Sequence, residues 1–384
     1  MPAPGFQQAP PDNRPHLGIG LLGYGFMGKA HSNAFSTMRY VDWPGGTHPD
    51  LIAIAGRTES AVRQAATRYG YDGFYTDWHG LVADERVQVF DNVAADPMHV
   101  EPTLAAISAG KHVACEKPLA IRASDARRMW EAAEKAGVKN LTCFNYRFVP
   151  AVRLARDMLK RGELGDVYQA RFRYSQEWRR DPNASLPSPA GALRIIGCHA
   201  IDQARFLVGE IVSVAAAFSS PVSTKDRLFD GEPVEPDDVF ASLVQFENGT
   251  PATIDASLVS RGRQNYLGWE INCQHGTLVW NLEQLNELRV FGGRQSANSL
   301  EGLTDVIVCQ PDHPFNEMWW PTGHVIGWEH SHINMLDHFL RAIAEDKPVG
   351  PEAATFEDGY RAQLISEAMH QAAETGQRVQ VPNE

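Results

Sequence analysis

The chain has 384 residues, 43% hydrophobic and 21% charged, a globular composition with material for about two domains. Its 47 acidic against 35 basic side chains leave a formal charge of −12, so it lacks the basic excess that binds nucleic-acid backbones or anionic membranes. Small molecules and other protein subunits are the partners this leaves.

The first fifteen residues hold five prolines and no apolar core, which predicts a disordered arm over residues 1–16. At Leu17 the character changes to LGIGLLG followed by YGFMGKAHSNAF, a buried strand turning directly into a helix. Apolar runs at Leu51–Ala55, Val87–Val93, His112–Cys115 and Lys139–Phe144 alternate with helical segments at Glu59–Tyr69, Pro102–Ala109 and Ser124–Ala136. Strands alternating with helices predict a parallel sheet built from βαβ units, over residues 17–145.

After a predicted helix at Ala151–Arg161 the period changes to two. In Val167–Tyr174 the residues Tyr168, Ala170, Phe172 and Tyr174 alternate with Gln169, Arg171 and Arg173, the pattern of a half-buried strand. Further strands are expected at Ile211–Phe218, Val239–Phe246, Ala252–Val259, Trp269–Cys273, Thr277–Asn281 and Leu288–Phe291, with hairpins at Asn248-Gly249 and His275-Gly276. Residues 146–384 therefore read as an α+β unit with a large, mostly antiparallel open sheet. Ile333, Leu336, Leu340 and Ile343, spaced 3, 4 and 3, predict a core-facing helix.

The five cysteines, Cys115, Cys143, Cys198, Cys273 and Cys309, are odd in number and scattered, and show no C-x-x-C pairing. They read as reduced thiols, which implies a cytoplasmic protein. No metal is expected: His324, His330 and His332 form H-x5-H-x-H, for which surface or packing histidines are the ordinary account.

Gly23-Tyr24-Gly25-Phe26-Met27-Gly28 is G-x-G-x-x-G between a strand and a helix, where glycines permit the turn and let amides approach a pyrophosphate. At the end of the second strand stand Arg57 and Thr58. With no carboxylate to repel a 2′-phosphate and one guanidinium to pair with it, the cofactor is NAD or NADP with a lean to NADP; the competing account is a solvated loop arginine. Cys115-Glu116-Lys117-Pro118 closes a strand at the ligand side of such a sheet. Beside a cationic nicotinamide, the Lys117 ammonium would be disfavoured, suiting it to exchange a proton with a substrate hydroxyl; alone, it equally describes a surface lysine. His199 opens a helix with Asp202 and Gln203 on the same face, so a carboxylate can orient the imidazole as a general base. A capping or core histidine is the alternative.

Together these motifs resemble the Gfo/Idh/MocA oxidoreductases: G-x-G-x-x-G-x-x-H at Gly23, Gly25, Gly28 and His31, then Glu116-Lys117-Pro118, Asn145-Tyr146-Arg147 and G-x-H-x-x-D at Gly197, His199 and Asp202. Gln176-Glu177-Trp178 and Asp181-Pro182-Asn183 look most like the levoglucosan-type sugar dehydrogenases of that family. The resemblance implies an N-terminal Rossmann domain, an NAD(P)-dependent oxidation of a secondary hydroxyl of a sugar, glycoside or cyclitol, and a homodimer or homotetramer. It assigns Lys117 and His199 to catalysis. Gly23, Gly25, Phe26, Met27, Gly28, Arg57, Thr58, Asp96, His99, Glu116, Lys117 and Asn145 fall to the cofactor. Lys117, Tyr174, Gln176, Trp178, Ile195 and His199 fall to the substrate.

Three departures stand out. Ala94-Ala95-Asp96 precedes Pro97-Met98-His99 where the family has Thr-Pro-Asn, the loop between Asn183 and Gly191 is short, and Ile195 replaces the aspartate four residues before the catalytic histidine. Ile195 implies a lost polar partner and a pocket remodelled toward a less hydroxylated substrate face. Two other classes share these features: a glycosidase working through transient oxidation by bound NAD, and a non-catalytic sugar or dinucleotide sensor.

Overall fold

The computed structural model describes residues 13–41, 46–177, 191–222, 227–229, 232–234, 237–292 and 302–382. Most of the expected N-terminal arm, Trp178, Asp181–Asn183 and the whole of the shortened loop lie outside these residues. Among the described residues no helix is long and apolar enough to cross a membrane.

The first half alternates as expected: β1 (His16–Leu22), α1 (Phe26–Met38), β2 (His48–Ala55), α2 (Glu59–Tyr69), β3 (Gly73–Tyr75), α3 (Trp78–Ala83), β4 (Val89–Asn92), α4 (Val100–Ser108), β5 (His112–Cys115), α5 (Ala123–Ala136) and β6 (Asn140–Thr142). The six strands are parallel, in the order β3-β2-β1-β4-β5-β6. The order reverses between β1 and β4, and the crevice outside the carboxyl ends at such a reversal is where ligands bind. Short β3 and α3 escape the pattern reading because a half-buried three-residue strand leaves no period to detect.

The second half begins with α6 (Pro150–Lys160) and β7 (Val167–Ser175), followed by α7 (Cys198–Leu207) and β8 (Ile211–Ser220). Two short strands, β9 (Arg227–Phe229) and β10 (Glu232–Val234), pair with each other. Next come β11 (Val239–Phe246), β12 (Pro251–Ser257), β13 (Tyr266–Cys273), β14 (Gly276–Asn281), β15 (Glu287–Gly292) and β16 (Thr304–Ile307). The chain closes with α8 (Trp328–Ala344), α9 (Phe356–Thr375) and β17 (Val379–Gln380).

The nine-stranded sheet runs β16-β15-β14-β13-β7-β12-β11-β8-β17 and is antiparallel except for the β7–β12 pair. Asn248-Gly249 makes the β11–β12 turn, with Gly249 at φ 86°. One strand expectation is corrected at its end: Tyr168 is 59% exposed, and the buried face of β7 begins at Ala170.

The helix expected from Ile333, Leu336 and Leu340 is α8, and it packs away from its sequence neighbours. With Phe339 it closes over Ile19, Leu21, Phe35 and Leu51 of the parallel sheet and α1. Each such fully buried side chain contributes about 1.5–3 kcal/mol. Helix α9 lies between the two sheets, Phe356 and Tyr360 packing near Leu119 and Met129 while Ile365 and Met369 pack with Phe240 and Ile254. These two helices bring the carboxyl ends of the parallel strands against the inner face of the large sheet.

Candidate active site

The turn from β1 to α1 uses its three glycines differently. Gly23 sits at φ 108°, and a Cβ there would lie 2.9 Å from the Val93 carbonyl oxygen; one on Gly28 would lie 2.5 Å from the Gly23 oxygen. Those two permit the tight turn and the close packing of helix on strand. A Cβ on Gly25 would meet nothing within 4 Å, so the space before the helix is open. The first turn of α1 carries no acidic residue and no capping side chain. An open cradle at the positive end of a helix fits the pyrophosphate of a dinucleotide. Arg57 and Thr58 are exposed just beyond β2, and the Tyr24 ring lies against Gly56 beside them.

Lys117 follows β5 at the same end of the sheet, joined to Pro118 by a cis peptide bond. Its amide donates to Glu116 Oε2 at 3.0 Å, and its Nζ donates to the Ile195 carbonyl oxygen at 3.0 Å. Burial alone would lower its pKa, but the neighbouring Cys198, Glu116, Asp96 and Tyr146 raise it above the ordinary lysine value. The protein's own groups thus favour the ammonium, and the depression expected at a loaded site has to come from the nicotinamide's charge. Asp96, half-buried in the turn after β4, adds to that field. His99 is fully buried, its Nδ1 2.8 Å from the Pro118 oxygen and its Nε2 3.1 Å from the Ala94 oxygen. A ring N–H of His99 can donate to either carbonyl according to tautomer, and through Nδ1 it braces the Lys117–Pro118 segment.

Before α7 the chain makes a π-helical turn, Leu193–Gly197. Such turns alter carbonyl directions and recur at functional sites. Here the turn changes the meaning of Ile195. The main-chain oxygen of Ile195 engages Lys117 while its apolar side chain lines the pocket, so Lys117 is held there by backbone and not by a side-chain carboxylate.

His199 follows in the first turn of α7, with its ring among Tyr146, Phe144 and Tyr174 at centroid distances of 4.8, 5.8 and 5.8 Å. Burial, then the positive charge of Lys117, push its pKa well below the ordinary value, so the imidazole is neutral at physiological pH. The expected partnership with Asp202 is overturned. Asp202 Oδ1 accepts from Arg147 Nη2 at 2.6 Å and from Arg147 Nε at 3.0 Å, and Arg147 also donates to Asp358. A buried guanidinium demands carboxylates more strongly than an imidazole does. Gln203 is engaged too, accepting from Trp269 Nε1.

One cavity of about 460 Å³ collects most of the predicted residues: Phe26, Met27, Glu116, Lys117 and Asn145 toward the parallel sheet, and Tyr174, Gln176, Ile195 and His199 toward the large one. Gly23, Gly25, Gly28, Arg57, Thr58, Asp96 and His99 do not line it. Sequence reasoning missed Tyr146, Asn265, Trp328 and His332 as lining residues. Tyr146 was visible as the middle of Asn145-Tyr146-Arg147, whereas Asn265 and Trp328 arrive through tertiary packing without a local motif. They complete a directed chain: Trp328 Nε1 donates to Tyr146 Oη, which bonds Tyr174 Oη at 3.1 Å, which donates to Asn265 Oδ1 at 2.8 Å. Gln176 Nε2 donates to the same Asn265 oxygen at 2.5 Å. Asn145 Nδ2 is held by Ser331 Oγ at 2.8 Å.

A larger open cavity of about 730 Å³ lies at the opposite end of the parallel strands, by the amino ends of β1, β4 and β5 around Leu17, Val87 and Lys111. Lys111 Nζ already donates there to the Asp84 and Val87 oxygens, so that cavity offers less chemistry than its size suggests. His324, His330 and His332 do not converge on one point: His330 Nδ1 accepts the Gly327 amide at the start of α8, while His332 is buried beside His31.

Comparison with known proteins agrees with this arrangement. Residues 17–144 match the oxidoreductase family model with NAD-binding Rossmann fold, and residues 152–279 match the GFO/IDH/MocA C-terminal domain. The chain is 33% identical to levoglucosan dehydrogenase of Pseudarthrobacter phenanthrenivorans, over 96% of this chain and 98% of that one. It is 26% identical to myo-inositol 2-dehydrogenase of Thermotoga maritima, over 94% and 98% respectively. A solved levoglucosan dehydrogenase in complex with NADH and levoglucosan superposes with a TM-score of 0.91 at 35% identity, over 96% of this chain and all of that one. With a Rossmann sheet carrying an open glycine cradle, an antiparallel partner sheet, and full-length relatives of the same build, the chain belongs to the Gfo/Idh/MocA oxidoreductase family.

Proposed function

We propose that the protein is an NAD(P)-dependent dehydrogenase oxidising a secondary hydroxyl of a ring sugar, glycoside or cyclitol. The observation that carries this reading is the meeting of Lys117 and His199 in one cavity at the carboxyl ends of the parallel strands. Gly23, Gly25 and Gly28 would hold the pyrophosphate, with Phe26, Met27, Glu116 and Asn145 toward the nicotinamide. The dinucleotide, when bound, supplies the hydride acceptor. The protein's residues supply the proton chemistry. Lys117, charged and tethered through the Ile195 oxygen, donates a hydrogen bond to the substrate oxygen. His199, neutral and depressed in pKa, accepts the hydroxyl proton. Tyr174, Gln176 and Asn265 offer a prearranged polar edge for further hydroxyls, and Ile195 offers an apolar one; Trp178 is retained as a substrate contact on resemblance alone.

Purified protein with NAD or NADP and a panel of ring polyols, followed at the reduced-nicotinamide absorbance, tests this. Ile195→Asp should lower turnover of the best substrate by about tenfold, within the 1–3 kcal/mol of a misdirected polar group, because its carboxylate would compete for Lys117. Higher activity in that variant would mean that Ile195 marks impaired catalysis.

For cofactor choice, the exposed Arg57 supports a lean to NADP. Arg57→Ala should weaken NADP by about 1.5–3 kcal/mol, the range of a hydrogen bond to a charged group, and leave NAD nearly unchanged. Equal losses in a binding titration would make Arg57 an adenine-packing residue. A homo-oligomer agrees with apolar side chains such as Phe218 and Leu243 exposed on the large sheet, and the five buried, unpaired cysteines support a reducing, cytoplasmic setting.

A further inference from the structure

Beneath Lys117 lies a group of charges that the proposed reaction does not use. His31, on α1, is fully buried, with Nδ1 2.7 Å from Asp91 Oδ2 and Nε2 3.3 Å from Glu116 Oε1. Asp91 stands inside β4, a central strand of a parallel sheet, where a carboxylate is costly unless paired. Glu116 is equally buried, and its second oxygen, Oε2, accepts the Lys117 amide. The order in space is Asp91, His31, Glu116, then the backbone of Lys117. Other titratable groups face the cluster: Cys143 after β6, Tyr71 after α2, and His332 from α8. His332 has no hydrogen-bond partner on either ring nitrogen among the described residues, and burial followed by the His31 charge pushes its pKa down to about 3. It is therefore neutral and cannot balance the two carboxylates. The Lys117 ammonium also acts on Glu116, but among the described residues only His31 lies between the two carboxylates.

We propose that His31 is a positioning residue of this site: as an imidazolium wedged between Asp91 and Glu116, it keeps Glu116 ionised and fixed, and through Glu116 it holds the Lys117 backbone at the pocket. The Asp91 side is a short hydrogen bond, and the Glu116 side is an ion-pair contact at 3.3 Å without hydrogen-bond geometry. Electrostatics agrees: burial by itself would lower the His31 pKa, but Asp91 and then Glu116 overcome it and raise it to about 10. Without the cation, two carboxylates buried on either side of one side chain could not both stay ionised. One would take up a proton, and Glu116 would lose the partner that fixes its orientation. The kinetic part of this inference rests on the dehydrogenase reading; the charge state of His31 does not.

Two experiments test it. In wild-type protein labelled with nitrogen-15 histidine, magnetic resonance should show one histidine protonated on both ring nitrogens through pH 8.5, absent from His31→Gln. A neutral tautomer for His31 would overturn the proposal whether or not a substrate is known. In His31→Gln at neutral pH, infrared difference spectra should gain a protonated-carboxyl stretch, and kcat should fall by about tenfold or more with the NADH dissociation constant little changed, as expected for misplacement of a catalytic group. No new carboxyl band, or kcat within threefold of wild type, would reduce His31 to a packing residue. Stoichiometric zinc surviving dialysis against a chelator would also overturn it, because His31 Nε2, Glu116 and His332 would then be metal ligands.

Discussion

Lys117→Met and His199→Ala are each expected to lower kcat by about 10²-fold or more, the usual contribution of a positioned acid or base. Methionine keeps most of the lysine's length and apolar stem, so the variant removes the ammonium and its bond to the Ile195 oxygen while preserving packing. Alanine at 199 removes the neutral imidazole from its aromatic surround. Neither residue forms the glycine turn, so NADH titration should still give saturable binding and serve as the check on folding. The pH dependence follows from the shifts. A base depressed well below the histidine range stays active as pH falls past 6.5, and an ammonium raised above the lysine value stays charged as pH rises past neutrality. The plateau of kcat/KM for the dinucleotide, which reports the free protein, therefore spans the neutral range. Activity within a few-fold of wild type in either variant would move the chemistry elsewhere.

Gly25→Val is expected to abolish dinucleotide binding in a protein that still folds. The open space around Gly25 makes these two outcomes separable, since a Cβ there meets no protein atom within 4 Å beyond its chain neighbours and the side chain would enter the volume before the α1 N-terminus. The same change at Gly28 would drive a side chain into the Gly23 backbone and would report on folding instead. Unchanged NADH affinity in a Gly25→Val protein with wild-type thermal stability would refute the cradle.

Local patterns carried the parallel sheet and the glycine turn because strand, glycines and helix are contiguous in sequence, and each glycine's function is set within a few residues. Lys117 and His199 were legible through short motifs. Their partners were not. Asp202 stands three residues from His199 on the same helix, yet tertiary packing delivers Arg147 and Asp358 to the same place, and the guanidinium takes the carboxylate. The bond from Lys117 to residue 195 was not legible because its acceptor is a backbone oxygen in a π-helical turn, whereas the sequence shows only side chains. Helix α9 was hidden for a related reason. It is covered on two sides, and its polar residues face backbone acceptors, Gln363 donating to the Ile121 oxygen and Arg361 to that of Pro382, so no clean apolar stripe remains.

The most direct measurement is reduced-nicotinamide accumulation when the wild-type protein and Lys117→Met are mixed with NAD or NADP and a panel of levoglucosan, glycosides and inositols. Wild type should accumulate NAD(P)H in proportion to the ketone formed from at least one ring polyol, with the variant slowed by about 10²-fold. Product released while the nicotinamide spectrum stays constant, or dinucleotide binding without turnover of any polyol, would contradict the account.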